Sequence, residues 1–259
     1  MVVNLRTLLA RGGTLIAPGA ADALSARLIE AQGYECVYIG SYATAAGRFA
    51  IPDTGLLSLD ELAAQARTIA RAVRIPVIAD AEAGFSPEET IRAFEAAGVA
   101  ALHIEDHTGA GKHTDLPQTL HPVEEAAERI GAAVAARTNP ELLIVARSDA
   151  FWVHRDLEDC IARLERYAAA GADMVFPTLV GPAELAEVRR RIARPVMIVD
   201  MPGRALAEHA GAAIVLYYAF SITRQFAALR QALVRGELAS DTAPLEEFLG
   251  YKDGHGRSQ

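Results

Sequence analysis

The sequence predicts a single closed (β/α)8 barrel, and three observations carry that prediction. Eight short runs are apolar on nearly every residue, as strands covered on both faces require. Amphipathic helical stretches separate them, with no linker and no internal repeat. The chain's 259 residues suit such a barrel, since closed barrels run to about 200–250 residues as one unit. A doubly wound open sheet is the alternative. Ala17-Pro18-Gly19-Ala20-Ala21-Asp22, after the first strand, lacks the glycine spacing of a dinucleotide turn.

Taken in order, the strands are expected at Thr14–Ala17, Cys36–Ile39, Val77–Ala79, Ala101–Ile104, Leu143–Ala146, Met174–Phe176, Val196–Val199 and Ala213–Leu216. Helical patterns fall between them, at Ala21–Gln32, Leu59–Val73, Pro87–Ala97, Val123–Arg137, Leu157–Ala170 and Pro182–Ile192. Ser86-Pro87-Glu88-Glu89 supplies an N-cap, a proline at the first helical position and early carboxylates. Gly33, Gly98 and Gly171 follow helices where a left-handed cap is wanted. Ala219–Arg235 and Pro244–Leu249 hold more helix than the last crossover needs, so residues 236–259 read as an extension of one barrel domain. The tail Lys252–Gln259 is polar and expected to fray.

Composition narrows the function. A 51% hydrophobic content is ample for a large core. No apolar run reaches the ~20 residues that span a bilayer, and the N-terminus carries no secretory signal pattern. The net charge of −8, with no basic stripe, makes nucleic acid a poor partner. Cys36 and Cys160 are far apart and lack metal-ligand spacing, which suits a reducing cytoplasm.

In a parallel barrel, reactive groups project from the C-terminal strand ends. Asp80 and Glu82, two residues apart, point the same way on extended backbone, and Glu105 ends the next strand. Gathered carboxylates of this kind suit Mg2+ or Mn2+; alternatively they cap helices or pair with arginines. Arg147 ends an apolar strand and needs an anion, either a substrate carboxylate or an internal partner such as Glu105 or Asp149. His107–Asp115 reads as a glycine-containing lid carrying Lys112 and His113; Lys112 and Lys252 are the only lysines. Tyr217, Phe151 and Trp152 read more readily as core, and Ser41 has no inferable hydrolase partners.

The stretches PGAADALSARLIEAQGYECVYIGSYATAA, IPDTGLLSLDEL, IPVIADAEAGF, ALHIEDH, IVARSDAF and AAAGADMVFP resemble, in order and spacing, the phosphoenolpyruvate mutase/isocitrate lyase superfamily over Leu5 to Arg235. The resemblance implies an Mg2+- or Mn2+-dependent barrel whose last helix is exchanged between subunits, giving a dimer of helix-swapped dimers. It aligns Asp80, Glu82 and Glu105 with the metal-shell acids and Asp53 with an acid near the substrate. Arg147 aligns with the arginine that holds a substrate carboxylate. Ser41, Tyr42 and Ala43 align with a stretch whose amides take the substrate's other end, and Tyr217 is added as a substrate contact.

The departures separate the subfamilies. The lyases for isocitrate and methylisocitrate carry KRCGH in the gating loop, whereas this loop reads GAGKHTD, without cysteine. Pro177-Thr178 stands where phosphonate-handling members keep a histidine, and Ala83 and Ser86 break the common DTGYGN pattern. The likeness that remains is to cysteine-free members such as oxaloacetate decarboxylase. The expectation is therefore carbon–carbon cleavage of a small 2-oxo or 2-hydroxy acid through an enolate, with Lys112 or His113 moving protons. Phosphonopyruvate chemistry and a catalytically silent dicarboxylate binder are the rivals.

Overall fold

A computed structural model describes residues 4–109, 112–114, 116–200 and 211–251. The predicted tail Lys252–Gln259 and loop residues Ala110, Gly111 and Asp115 lie outside them. The chain divides into two compact units, Met1–Ile222 and Thr223–Gln259. That boundary falls thirteen residues before the expected extension, inside a helix rather than after it.

The first unit is an eight-stranded parallel barrel. Its strands are β1 (Leu15–Pro18), β2 (Val37–Ile39), β3 (Val77–Asp80), β4 (Ala101–Glu105), β5 (Leu143–Ser148), β6 (Met174–Pro177), β7 (Met197–Val199) and β8 (Ile214–Tyr217). Paired strands run β2 through β6 in order, and β1–β8–β7 complete the set. Single bridges from Gly19 to Tyr38 and from Val175 to Val196 join the two sheets. Gly19 is needed for closure: a Cβ there would stand 2.3 Å from the Tyr218 carbonyl oxygen.

Side chains alternate along each strand. Val37, Ile39, Ala79, Leu102, Ile104, Ile144 and Ala146 point outward, into the core beneath the helices. The intervening residues Tyr38, Ile78, Ala101, Val145, Met174, Phe176, Met197 and Leu216 fill the barrel. Each fully buried aliphatic side chain contributes roughly 1.5–3 kcal/mol. Helix α1 (Leu5–Ala10) buries Leu5 and Leu8 among the inward residues.

Helices α2 (Ala23–Ala31), α4 (Leu59–Ala70), α5 (Pro87–Ala97), α6 (Val123–Ala136), α8 (Leu157–Ala169) and α9 (Pro182–Arg191) match the expected crossovers to within three residues at each end. Ser58 and Glu61 form a reciprocal capping box on α4. Three short helical pieces had no counterpart in the periodicity. They are α1, α3 (Ser41–Thr44) continuing into a π-turn over Ala45–Phe49, and α7 (Ala150–His154). Each is too short for a 3.6-residue period to register.

The second unit contains most of α10 (Phe220–Arg235) and all of α11 (Ala243–Leu249). Phe226, Leu229 and Leu233 share one face of α10 and are 65%, 63% and 59% exposed. No described helix is long and apolar enough to cross a membrane.

Candidate active site

Alternation that buries every second strand residue also decides what reaches the barrel mouth. Asp80, His103, Glu105, Arg147 and Phe176 share the inward parity, and Asp80–His103, Glu105–Arg147 and Arg147–Phe176 sit side by side in register. A cavity of about 290 Å³ opens here, lined by Ser41, Asp53, Asp80, Lys112 and Arg147 among others. Its size lies near the lower end of small-molecule sites, ~300–1,000 Å³.

Asp80 is the anchored acid. Its Oδ2 accepts from the Ser41 hydroxyl at 2.9 Å and the Ser41 amide at 3.3 Å, and its Oδ1 accepts from the Glu82 amide at 2.8 Å. Burial alone would raise its pKa. The charges of its neighbours and these hydrogen bonds outweigh burial and hold the carboxyl well below the usual carboxylate range. The Glu82 backbone adopts φ +52°, a left-handed conformation that a non-glycine residue takes at about 1–3 kcal/mol.

Lys112 reaches down from the 107–115 loop with only 1% of its side chain exposed. Its Nζ lies 2.5 Å from Glu82 Oε2 and 2.8 Å from Glu105 Oε1. Burial would strip its proton, yet Glu105, Asp80 and Glu82 together push its pKa up instead. Glu82 moves the opposite way from a simple ion pair: burial and repulsion from Asp80 and Glu105 raise it to about 8. One ammonium shared between two buried carboxylates does not offset that crowding.

Arg147 faces its own frame. Its Nε and Nη2 make a two-pronged contact with Asp149 at 2.7 and 2.9 Å, and Nη1 lies 2.9 Å from Glu105 Oε2. Thr178 completes the set, donating to Asp149 Oδ1 at 2.5 Å. The internal-partner reading of Arg147 therefore describes this arrangement, in place of a guanidinium fork standing open for substrate. Its side chain still lines the cavity.

His113 stands with Nε2 3.4 Å from Asp53 Oδ2 and its ring 5.1 Å from Trp152. Ser41 and Tyr42 line the cavity, whereas Ala43 is buried behind them and Tyr217 points away. Tyr217 shares the outward parity of Val215, and it is the following residue, Tyr218, that lines the cavity. Trp152, expected in the core, lines it too because α7 turns it back over the mouth.

Tyr38 and His103 were not singled out in the sequence, although the inward parity of His103 with Glu105 was available. The Tyr38 hydroxyl lies 3.0 Å from His103 Nε2, and His103 Nδ1 lies 3.6 Å from Asp80. Burial lowers the His103 pKa to about 4, so this contact joins a neutral imidazole to a carboxylate and is no ion pair. Asp106 points outward instead, accepting from Ser148, Tyr167 and the Asp149 amide, and so ties β5 to α8. Burial pushes both cysteine thiols up to about 12, which leaves them inert.

The donor set was tested for a divalent cation. Buried carboxylate oxygens without a hydrogen bond include Asp53 Oδ1, Glu82 Oε1 and both oxygens of Glu105. The Glu105 oxygens lie close to Lys112 and Arg147 but without hydrogen-bond alignment. Among the described residues no three acids or histidines are drawn together as a ready-made metal cluster. The lysine ammonium holds Glu82 and Glu105 at the place where their charges meet. Under-satisfied, hard oxygen donors around a positive charge fit Mg2+ or Mn2+ in chemistry.

Residues 5–235 match the family described as phosphoenolpyruvate phosphomutase. The 2-methylisocitrate lyase of Salmonella typhimurium is 38% identical over 191 residues, which is 71% of this chain and 64% of that protein. The oxaloacetate decarboxylase of a Marinomonas species is 36% identical over 201 residues, 76% of this chain and 69% of its own. The chain thus spans less than two thirds of the Salmonella relative's length. Among solved structures, phosphoenolpyruvate phosphomutase from Streptomyces platensis subsp. rosaceus superposes with a TM-score of 0.84 at 29% identity, covering 96% of this chain and 95% of that one. A phosphonopyruvate hydrolase in complex with oxalate and Mg2+ superposes at 0.85 and 26% identity, covering 96% and 94%.

Proposed function

This chain belongs to the phosphoenolpyruvate mutase/isocitrate lyase superfamily, and on that premise we propose that it is a divalent-metal-dependent lyase. It breaks a carbon–carbon bond of a small 2-oxo or 2-hydroxy acid through an enolate. The observation that carries this reading is Glu105: fully buried, with neither oxygen hydrogen-bonded, between the only two strong cations of the described cavity lining. Asp80, Glu82 and Glu105 would hold Mg2+ or Mn2+, which supplies a Lewis acid that stabilises negative charge developing on a substrate oxygen.

The chain's own residues do the rest. Ser41 and Asp53 fix the orientation of Asp80 through the Ser41 hydroxyl. Arg147 presents its positive charge at the cavity wall, held rigid by Asp149 and Thr178, and attracts a substrate carboxylate. Lys112 keeps its proton at Nζ beside the acids, where a positive charge favours an anionic transition state. His113, at the rim beside Trp152, is the second candidate for proton movement.

A turnover screen with Mg2+ tests this reading, watching 2-oxo acid products, glyoxylate and phosphate together. Release of a 2-oxo acid from a 2-oxo or 2-hydroxy diacid is the expected result. Phosphate from phosphonopyruvate would replace it with a phosphonate enzyme, and thermal stabilisation without turnover would replace it with a silent binder. Lys112→Ala is expected to lower kcat by about a hundredfold with a smaller rise in KM. His113→Ala failing in its place would move the proton-transfer role one residue along.

A second copy of the chain is the proposed partner, and the buried free thiols support a cytoplasmic setting. The exposed face of Phe226, Leu229 and Leu233 supports exchange of α10 between subunits. Light scattering is expected to show an oligomer that Leu229→Glu with Leu233→Glu reduces to a monomer. An unchanged mass, or a monomer before substitution, would overturn the exchange.

A further inference from the structure

The strands divide the cavity lining into two unlike halves. From β2 to β5 and their loops come Asp53, Asp80, Lys112 and Arg147. From β6 to β8 come Phe176, Leu179, Val199, Leu216 and Tyr218, with Asp200 as the charged residue. Among the described residues this second half brings no cation. The cations of the first half are already engaged: Lys112 by Glu82 and Glu105, Arg147 by Asp149 and Glu105, and His113 by Asp53.

A substrate carboxylate that extends towards β6–β8 therefore meets hydrocarbon and one acid. Holding a charged carboxylate there is unfavourable. One fate relieves it. A carboxylate that departs as CO2 loses its charge as the bond breaks, so surroundings that disfavour the bound anion do not disfavour the transition state equally. A carboxylate that stays on the product gains nothing from this arrangement. An alkyl group on the same carbon, by contrast, is buried by it.

We propose that the β6–β8 half of the cavity selects 3-alkyl-2-oxosuccinates and that the reaction is their decarboxylation. This rests on the lyase reading above and names its substrate class. The C3–C4 bond breaks and CO2 leaves. The bonding pair forms C2=C3 while the carbonyl pair moves onto the 2-oxygen. A proton from solvent then adds at C3 as the carbonyl re-forms, giving a 2-oxo acid with one more alkyl carbon set than pyruvate. No oxidant or reductant takes part.

The test compares oxaloacetate, its 3-methyl and 3-ethyl derivatives and isocitrate, with Mg2+ present and spontaneous decarboxylation subtracted. Each buried methylene is expected to raise kcat/KM about fourfold, so the ethyl derivative should exceed oxaloacetate by about fifteenfold. Isocitrate should lag behind all three. In competition, 2-oxo-3-methylbutanoate should inhibit more strongly than 2-oxoglutarate. Val199→Thr, which keeps the shape and adds a hydroxyl, should shrink the ethyl-to-unsubstituted ratio. A ratio near one in the unsubstituted protein, or faster isocitrate cleavage, overturns the inference and leaves the lyase reading standing. Absence of turnover with every acid overturns the lyase reading itself.

Discussion

Asp80→Ala is expected to reduce turnover by about a thousandfold or more, and chelation with EDTA is expected to do the same to the unsubstituted protein. Asp80 carries both effects because it is the one acid of the cluster held firmly ionised, by the Ser41 hydroxyl and amide and the Glu82 amide. Its removal also takes a negative charge away from Glu82 and Glu105. The metal-free variant should consequently melt no lower than the parent, which separates lost chemistry from lost folding. Affinity for Mn2+, read by the free-ion signal in electron paramagnetic resonance, should fall in parallel. Glu82→Asp should keep more activity than Glu82→Ala, because it retains the charge at a position where the resemblance expects aspartate. Full activity in rigorously metal-free protein would refute the metal role.

Arg147→Lys is expected to lower turnover by about a hundredfold although the charge is conserved. The guanidinium meets Asp149 through two nitrogens and Glu105 through a third, and an ammonium cannot reproduce that planar pattern. Truncation to alanine removes the charge as well and leaves buried Asp149 without its main partner. Breaking a buried pair in this way costs about 3–5 kcal/mol, so Arg147→Ala should show a clear fall in Tm. Arg147→Lys should keep most of the stability and lose most of the rate. Near-normal kinetics in Arg147→Lys, with a lowered Tm, would mean that the arginine only braces the barrel mouth.

Much of this site is legible before any coordinates. A strand covered by helices outside and side chains inside must be apolar throughout, and the eight expected strands agree with the observed ones to within about two residues at each end. Once the strands are placed, a period of two puts Asp80, Glu105 and Arg147 at the mouth together. The same count places Tyr218 inward and Tyr217 outward, a consequence open to the sequence that the site assignment for Tyr217 did not follow. Trp152 was hidden for a different reason. Its direction depends on α7, a five-residue helix that no periodicity reveals.

By itself, then, the sequence determined the barrel, its strand order and the set of charged groups that gather at one end. These follow from local rules, since burial and alternation act residue by residue along the chain. Only the tertiary structure decided how the charges share one another. Lys112 lies thirty residues from Glu82 and Arg147 forty-two from Glu105, and each pairing depends on ring closure that brings separate strand ends to within 3 Å. Spacing along the chain carries no information about such distances. In a buried site the energy of a charge depends on which neighbour it meets, and that neighbour is chosen by the fold.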